Sequence, residues 1–309
     1  MKICDCHNDF FGELKKDELQ NYINTCQNAG VQFLSGSYWT TKKECQILKD
    51  IALRKARINE PKCFALHIED LGFIRDEIEL EKLIKLKPFS CSLTWNFDNK
   101  FAGGSHGEQG LTKLGENVIK ELENNHILFD SAHLNKKSFF NAQNISKNPP
   151  YISHTGFCFI RDDKRNLDEE QIKFIVKNKG FIGLFFYDKL SMANNADKSC
   201  FSAKNIAENY ARFVDKFGYE NIGVGSDFYG ISNPPKNLKN YFQFSRLKYE
   251  LENLGMSGGE MDKIFYKMPL GNGRFADFFF KFTSDPSLEP KYMGLYWTIP
   301  FFDTSVTQV

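Results

Sequence analysis

Met1-Lys2-Ile3-Cys4-Asp5-Cys6-His7-Asn8-Asp9 opens the chain as a short apolar run that ends in a histidine and an aspartate two residues apart. Successive side chains of a β-strand point to opposite faces, so His7 and Asp9 share one face and can converge on a single cation. The same pattern also fits a polar strand end that faces solvent. Partners further along the chain decide between these two interpretations.

Size and charge restrict the class of protein. The chain has 309 residues, with 40 Lys and Arg against 39 Asp and Glu, which gives a net charge of +1 at pH 7. A single α/β barrel domain commonly has this length, so we predict one domain over residues 1–309. A neutral surface does not favour nucleic acid or anionic lipid as partner. We therefore predict no nucleic-acid partner and no membrane partner.

The predicted compartment is the cytoplasm. The first residues lack a basic segment followed by an apolar one, so we predict no signal peptide, and no run approaches the ~20 apolar residues of a membrane span. The eight cysteines contain no C-x-x-C pair, which predicts reduced and mostly buried thiols. By strand alternation, Cys6 points away from the face that carries His7.

Short apolar runs alternate with amphipathic stretches, a pattern typical of βα units around a parallel sheet. Eight such runs predict a closed (β/α)₈ barrel of the TIM type. The predicted strands lie near residues 2–7, 31–35, 63–69, 89–94, 126–131, 151–154, 181–186 and 222–226. The predicted helices lie near residues 41–57, 77–85, 112–124, 135–144, 168–178 and 203–217. From about residue 239 we expect a helical part followed by an aromatic tail, without a domain boundary.

Polar residues that close the apolar runs are the candidates for chemistry, because functional side chains of parallel barrels gather at the carboxyl ends of strands. The candidates are His7, Asp9, Glu69, His133, His154 and Asp227. Together they offer enough nitrogen and oxygen donors for two divalent metals, and zinc suits this mixture best. Glu69 is the acidic residue best placed to bridge the two metals, with Asp70 as the alternative.

Ten segments of the chain together form a family pattern. They are Asp5–Asp9, Gly30–Ser35, Ile68–Glu69, Leu93–Asn96, Gly110–Gly115, Phe129–His133, Ser153–His154, Arg165–Asp168, Gly225–Phe228 and Gly271–Phe275. In this order they resemble the membrane (renal) dipeptidases, peptidase family M19 of the amidohydrolase superfamily. The resemblance implies a barrel of the metal-dependent hydrolase type with two zinc ions. His7, Asp9 and Glu69 would hold one zinc, while Glu69, His133 and His154 would hold the other.

The resemblance also assigns catalytic and substrate-binding roles. Asp227 would relay the proton of a water that bridges the metals, and Arg165 would clamp the free carboxylate of a dipeptide. Both roles agree with physical chemistry, since two cations stabilise hydroxide and a guanidinium pairs bidentately with a carboxylate. The acidic neighbours of Arg165 leave an ordinary surface ion pair as the alternative. Family resemblance further suggests a homodimer.

One position departs from the family pattern. Better-known members carry a histidine after Leu-Thr that is thought to polarise the substrate, and this chain has Trp95 there. Loss of such a donor costs about 2.7 to 4 kcal/mol in other enzymes. The Trp95 indole or the neighbouring Asn96 would then serve the substrate, and His106 is a further candidate. Tyr229 also replaces an acidic residue that is common after the Asp-Phe of the Asp227 motif.

The sequence therefore predicts a zinc-dependent dipeptidase that uses a metal-bridging hydroxide on small dipeptides with a free C-terminal carboxylate. Two alternatives stay open. The same site could serve a lactone, a cyclic amide or a modified peptide, which Trp95 makes plausible. The barrel could also be a metal-binding scaffold without catalysis, although retention of Asp227 argues against that.

Overall fold

The computed structural model describes residues 1–40, 46–59 and 63–266, together with the backbone of two short strands at 268–270 and 274–276. Eight parallel strands form one sheet, in the order β5-β4-β3-β2-β1-β8-β7-β6. These strands are β1 (Ile3–Asn8), β2 (Val31–Tyr38), β3 (Phe64–Ile68), β4 (Ser90–Ser92), β5 (Leu128–Asp130), β6 (Tyr151–Thr155), β7 (Phe181–Leu184) and β8 (Ile222–Val224). Strands β9 (Met268–Leu270) and β10 (Arg274–Ala276) pair separately.

The sheet curls into a nearly closed barrel. Between β5 and β6, which have no continuous ladder in the described sheet, the Ser131 N–H donates to Tyr151 O at 2.9 Å. The Ser153 N–H donates to the Asp130 carboxylate at 3.0 Å across the same gap. The predicted TIM-type α/β barrel is therefore confirmed, and all eight predicted strands lie within a few residues of their expected positions.

Helices cover the outside of the sheet. They are α1 (Phe10–Glu13), α2 (Leu19–Asn28), α3 (Ile47–Lys55), α4 (Glu77–Lys85), α5 (Lys113–Asn124), α6 (Lys136–Gln143), α7 (Glu169–Lys177), α8 (Asp188–Ser191), α9 (Ala203–Phe217), α10 (Phe244–Asn253) and α11 (Gly258–Phe265). The predicted elements omit α2, whose sequence is mostly polar. Leu19, Ile23 and Cys26 nevertheless recur at i, i+4 and i+7 and form its buried stripe.

Helix α5 illustrates how sequence and packing agree. Thr112 begins the helix and its hydroxyl accepts a hydrogen bond from the Gly115 N–H. Val118, Ile119 and Leu122 then bury one face against the barrel, at the helical spacing that the sequence shows.

The remaining expectations concern the periphery. Residues Met1–Phe275 form one compact unit. The aromatic tail at 292–302 lies outside the described residues, so the predicted single domain with this tail stays a prediction. Cys4, Cys6, Cys26, Cys63 and Cys91 are buried free thiols, Cys158 is half-buried and Cys200 is exposed. Among the described helices, none has the length and apolar character required to cross a bilayer.

Candidate metal centre

The carboxyl ends of five strands bring the predicted ligands into one pocket. His7 lies in β1 and His154 lies in β6, whereas Glu69 follows β3 directly and His133 comes three residues after β5. Asp227 follows β8 in the same way. Because all these strands run parallel, their carboxyl ends share one rim of the barrel.

One half of the pocket combines an imidazole with two carboxylates. The His7 Nε2 atom lies 3.5 Å from Asp9 Oδ1 and 3.9 Å from Asp227 Oδ1. His7 is fully buried, while Asp9 and Asp227 are each 14 % exposed through their side chains. The ligand atoms of the three residues lie within 4.8 Å of one another, a spacing suited to a metal ion.

The other half centres on Glu69. Its Oε1 atom lies 2.9 Å from His133 Nε2 and 3.7 Å from His154 Nε2. The two Nε2 atoms are themselves 2.9 Å apart, and the His154 ring stacks on His7 with centroids at 3.6 Å. Glu69 also groups with His7 and His154 as candidate ligands, so the two halves share a wall and form one continuous pocket.

The donor set fits a divalent metal. The buried atoms His7 Nε2, Asp9 Oδ1 and Glu69 Oε1 have no hydrogen-bond partner within the described part of the chain. Buried polar atoms without partners are costly, and they occur where a ligand or ion completes the site. Imidazole nitrogens mixed with carboxylate oxygens are the donors that zinc and its neighbours accept.

Uncompensated negative charge in the pocket leads to the same conclusion. Burial alone would lower the pKa of His7, but the carboxylates of Asp9, Glu69 and Asp227 outweigh it and raise the pKa to about 10. Burial, reinforced by Asp9, raises the pKa of Asp227 to about 8, and burial raises that of Glu69 well above its usual range. A bound cation would therefore stabilise the ionised forms of these acidic groups.

The pocket also sets the tautomers of its histidines. Burial lowers the pKa of His133 and His154 well below the usual range, so both rings are neutral. The Ser153 hydroxyl lies 2.9 Å from His154 Nδ1 and 3.3 Å from His7 Nδ1. Its oxygen can accept hydrogen bonds from both Nδ1–H groups, which leaves each Nε2 lone pair for a metal.

Asn96 acts on His133 in the same way, since its Oδ1 lies 2.8 Å from His133 Nδ1. The Ser105 hydroxyl donates a hydrogen bond to the same Asn96 Oδ1 atom at 3.1 Å. The substrate contact that the sequence predicts for Asn96 stays a prediction. Sequence reasoning did not find Ser153 as a contributor, because a serine before His154 carries no signal of its own.

The predicted substrate residues lie at the rim. Arg165 is 7 % exposed, and its guanidinium donates to His154 O at 3.0 Å and to Thr155 Oγ1 at 3.3 Å. Among the described residues it forms no ion pair, so it is not the surface ion pair considered as an alternative. The Trp95 ring lies 6.1 Å from the His133 ring and 4.8 Å from the Trp39 ring, centroid to centroid.

Local backbone geometry also marks the site. His133 and Asp227 adopt positive φ values of 66° and 61°, which non-glycine residues rarely adopt and which tend to occur at functional sites. At Gly230 a Cβ atom would lie 1.9 Å from Asp9 Oδ2 and 2.4 Å from Asp227 Oδ1. Gly230 therefore leaves the space that these two carboxylates occupy, a role that sequence reasoning missed.

Three other residues considered from the sequence, Asp70, His67 and His106, make contacts that lie outside the proposed ligand set. Asp70 begins a 3-10 turn and accepts hydrogen bonds from the Gly72 N–H and Asn99, which argues against it as the bridging carboxylate. His67 is buried beneath the pocket with its Nδ1 atom 2.8 Å from Ser90 Oγ. His106 is exposed and packs near Phe97.

Comparison with known proteins shows which family the chain resembles. The family model described as membrane dipeptidase (peptidase family M19) matches residues 2–267. An uncharacterised dipeptidase of Schizosaccharomyces pombe is 25 % identical over 205 residues, which cover 64 % of this chain and 49 % of that protein. Dipeptidase aclJ of Aspergillus oryzae is 25 % identical over 171 residues, covering 54 % and 40 %. The chain thus spans half or less of the length of these two relatives.

A solved structure shares the fold. The metallopeptidase from Rhodobacter sphaeroides, bound to a phosphinate mimic of the dipeptide L-Ala-D-Ala, superposes with a TM-score of 0.73 at 16 % identity. The superposition covers 86 % of this chain and 96 % of that one. Together with the family match over residues 2–267, these findings confirm the predicted resemblance: the chain belongs to the membrane dipeptidase family, peptidase family M19.

Proposed function

We propose that this protein is a metal-dependent dipeptidase that binds two zinc ions and cleaves dipeptides with a free C-terminal carboxylate. The observation that carries the proposal is the convergence of His7, Asp9, Glu69, His133 and His154 on one pocket. Three buried atoms of that pocket have no hydrogen-bond partner in the described chain, namely His7 Nε2, Asp9 Oδ1 and Glu69 Oε1. Membership of a family named for dipeptidases supports the reaction. The phosphinate dipeptide mimic bound to the Rhodobacter sphaeroides relative supports the substrate class.

Two metals would divide these ligands between them, and Glu69 would be shared. His7 and Asp9 would complete the first site, whereas His133 and His154 would complete the second, consistent with the 2.9 Å and 3.7 Å distances from Glu69. Bound metals of this kind supply an activated water at neutral pH and polarise the carbonyl under attack. We favour zinc because imidazole and carboxylate donors in a compact buried site suit it.

Asp227 is the proposed proton carrier. Its carboxylate lies 3.9 Å from His7 Nε2 and groups with His7 and Asp9 around one possible cation position. A carboxylate beside the reacting centre can take a proton and return it within one turnover. The leaving amine would receive that proton.

Arg165 is the proposed carboxylate clamp. Its buried guanidinium is fixed by His154 O and Thr155 Oγ1, and these two acceptors engage part of its five N–H donors. The remaining donors can pair with the carboxylate of a substrate. Such a clamp would select peptides that end one residue after the scissile bond, which is what defines a dipeptidase.

The test is hydrolysis of a panel of L,L- and L,D-dipeptides by protein loaded with zinc, with metals per chain measured by elemental analysis. We expect two metals per chain and turnover of at least some members. Glu69→Gln and Asp227→Asn should each lower kcat about 100-fold or more, because each removes a charged group from the reacting centre. Ser35→Ala is the matched control, since Ser35 is buried in β2 without a hydrogen-bond partner for its hydroxyl in the described chain.

A second arm separates dipeptides from the neutral cyclic amides and lactones considered as alternatives. Arg165→Ala should raise KM for dipeptides, because the carboxylate loses its partner, while neutral cyclic substrates need no such clamp. Turnover of lactones without turnover of any dipeptide would replace the proposal with the alternative. A protein that holds two metals per chain yet cleaves neither class would favour the scaffold interpretation.

A further inference from the structure

Three aromatic side chains border the metal pocket, and we call them the aromatic wall: Trp39, Trp95 and Phe97. The Trp39 and Trp95 rings lie 4.8 Å apart between centroids, tilted by 44°. The Phe97 ring lies 6.1 Å from Trp95 in an edge contact and is 64 % exposed. The distances and tilts of both ring pairs fall in the range of ordinary aromatic pairs, so the rings support one another as a preformed surface.

The wall stands directly beside Glu69. Trp39 follows β2 and Trp95 lies just beyond β4, and these strands flank β3, at whose end Glu69 lies. The Glu69 N–H donates to the carbonyl of Tyr38 at 3.0 Å, which ties the residue before Trp39 to the bridging carboxylate. The two indoles therefore meet across the end of β3.

The same wall also borders His133. Asn96, between Trp95 and Phe97, hydrogen-bonds to His133 Nδ1 at 2.8 Å, and the Trp95 ring lies 6.1 Å from the His133 ring. The segment that carries two of the three rings is therefore tied to a candidate metal ligand. A substrate held at the metals would meet these rings rather than bulk water.

The chemistry of the wall is apolar. Trp39 and Trp95 each contribute an indole ring and Phe97 contributes a phenyl ring, so the wall consists of broad aromatic faces. Aromatic faces recognise apolar groups by burial of area and other rings by offset or edge contacts. A partly exposed wall of this kind beside an otherwise charged pocket provides a surface for an apolar part of the substrate.

The barrel determines which part of a dipeptide would reach the wall. Arg165 follows β6, which lies three strands from β3 around the eight-stranded barrel, nearly on the opposite side. A dipeptide whose carboxylate is held by Arg165 and whose scissile carbonyl is at the metals would extend its amino-terminal residue away from Arg165. That direction leads toward β3 and the aromatic wall.

We propose that the aromatic wall binds a large apolar or aromatic side chain on the amino-terminal residue of the dipeptide. The proposal rests on the proposed function, because it uses the Arg165 clamp to orient the substrate. It makes Trp95 and Trp39 determinants of specificity. If the rings instead served packing alone, their removal would change stability without changing the ranking of substrates.

The experiment compares kcat/KM for X–Ala dipeptides in which X is Gly, Ala, Leu or Phe, using zinc-loaded protein. We expect Phe–Ala to exceed Gly–Ala about tenfold or more, the discrimination that apolar pockets typically give. In Trp95→Ala and Trp39→Ala the ratio of Phe–Ala to Gly–Ala should fall toward one. Phe242→Ala is the control, since Phe242 is 59 % exposed in a 3-10 turn after β8, and the ratio should persist there.

A binding measurement keeps the inference independent of turnover. Calorimetry would compare two phosphinate dipeptide analogues, one with a benzyl group and one with hydrogen on the amino-terminal residue. Tighter binding of the benzyl analogue by wild type, lost in Trp95→Ala, supports the wall even if no dipeptide is cleaved and the proposed function fails. Two results would contradict the proposed role of the aromatic wall and leave the dipeptidase proposal intact. One is cleavage of all X–Ala dipeptides with the same kcat/KM, and the other is equal binding of both analogues.

Discussion

At the scale of single residues, the pocket depends on groups that never touch a metal in the proposed site. Ser153 contacts His7 Nδ1 and His154 Nδ1 together, and Asn96 contacts His133 Nδ1. Each contact favours the tautomer whose Nε2 lone pair is available. Three imidazoles thus gain their orientation from two small polar side chains.

Ser153→Ala should weaken zinc binding by about 10- to 100-fold, the usual cost of losing a partner behind a ligating histidine. Without the hydroxyl, both Nδ1 positions lose their acceptor, and each ring can turn or shift its proton to Nε2. The measurement is competition for zinc against a chelator of known affinity. It needs no substrate.

Ser35→Ala is the matched control for this change, because it also removes a buried serine hydroxyl from a barrel strand, but one that has no hydrogen-bond partner in the described chain. We expect zinc affinity to be unchanged there. Equal weakening in both variants would contradict the orienting role of Ser153 and point to a general effect on the barrel.

At the scale of secondary-structure elements, the segment from Arg165 to Asp168 combines two functions. Arg165 faces the pocket, while Asp168 begins α7 and accepts a hydrogen bond from the Gln171 N–H at 2.9 Å. The Asp168 N–H in turn donates to Gln171 Oε1 at 3.2 Å, which completes a capping box. Part of this family segment is therefore explained by helix capping and not by chemistry at the metals.

Asp168→Ala should lower the free energy of unfolding by about 1 kcal/mol, the typical cost of removing an N-cap side chain. Urea denaturation of the zinc-loaded protein measures this. Asp162→Ala, at an exposed position in the same loop, should change stability by less than about 0.5 kcal/mol. If Asp168→Ala leaves stability unchanged but lowers zinc affinity, the residue contributes to the pocket instead.

At the scale of the whole molecule, the buried charges couple stability to pH. In the metal-free protein the pKa of Asp227 is raised from 3.8 to about 8 and that of His7 from 6.5 to about 10. Both groups bind protons more tightly in the folded state than in the unfolded state. Their contributions to stability are present at low pH and are lost as pH rises through about 8 for Asp227 and about 10 for His7.

Metal binding should reverse this trend, because a metal requires deprotonated ligands and its affinity rises as protons leave. We expect the difference in Tm between zinc-loaded and metal-free protein to be larger at pH 8 than at pH 6. Thermal melts at both pH values measure it. The difference should shrink at both pH values in Glu69→Gln, which lacks the shared ligand, and a difference in wild type that is constant with pH would contradict the coupling.

The sequence by itself determined the barrel and the candidate ligands that meet in the pocket. Eight apolar runs separated by amphipathic stretches predict parallel strands, and parallel strands collect the polar residues that close them at one rim. His7, Glu69 and His154 were therefore identifiable without coordinates. These signals are local, because periodicity and strand ends can be read from neighbouring residues.

The tertiary structure alone decided which other residues complete the pocket. Ser153 meets His7 across 146 positions of sequence, Gly230 leaves room for the Asp9 carboxylate, and Trp39 meets Trp95 across the end of β3. Contacts of this kind depend on the curvature and closure of the barrel, which bring distant segments within a few ångströms. The sequence pattern does not predict the distance between two such segments, because the packing of the whole sheet determines it.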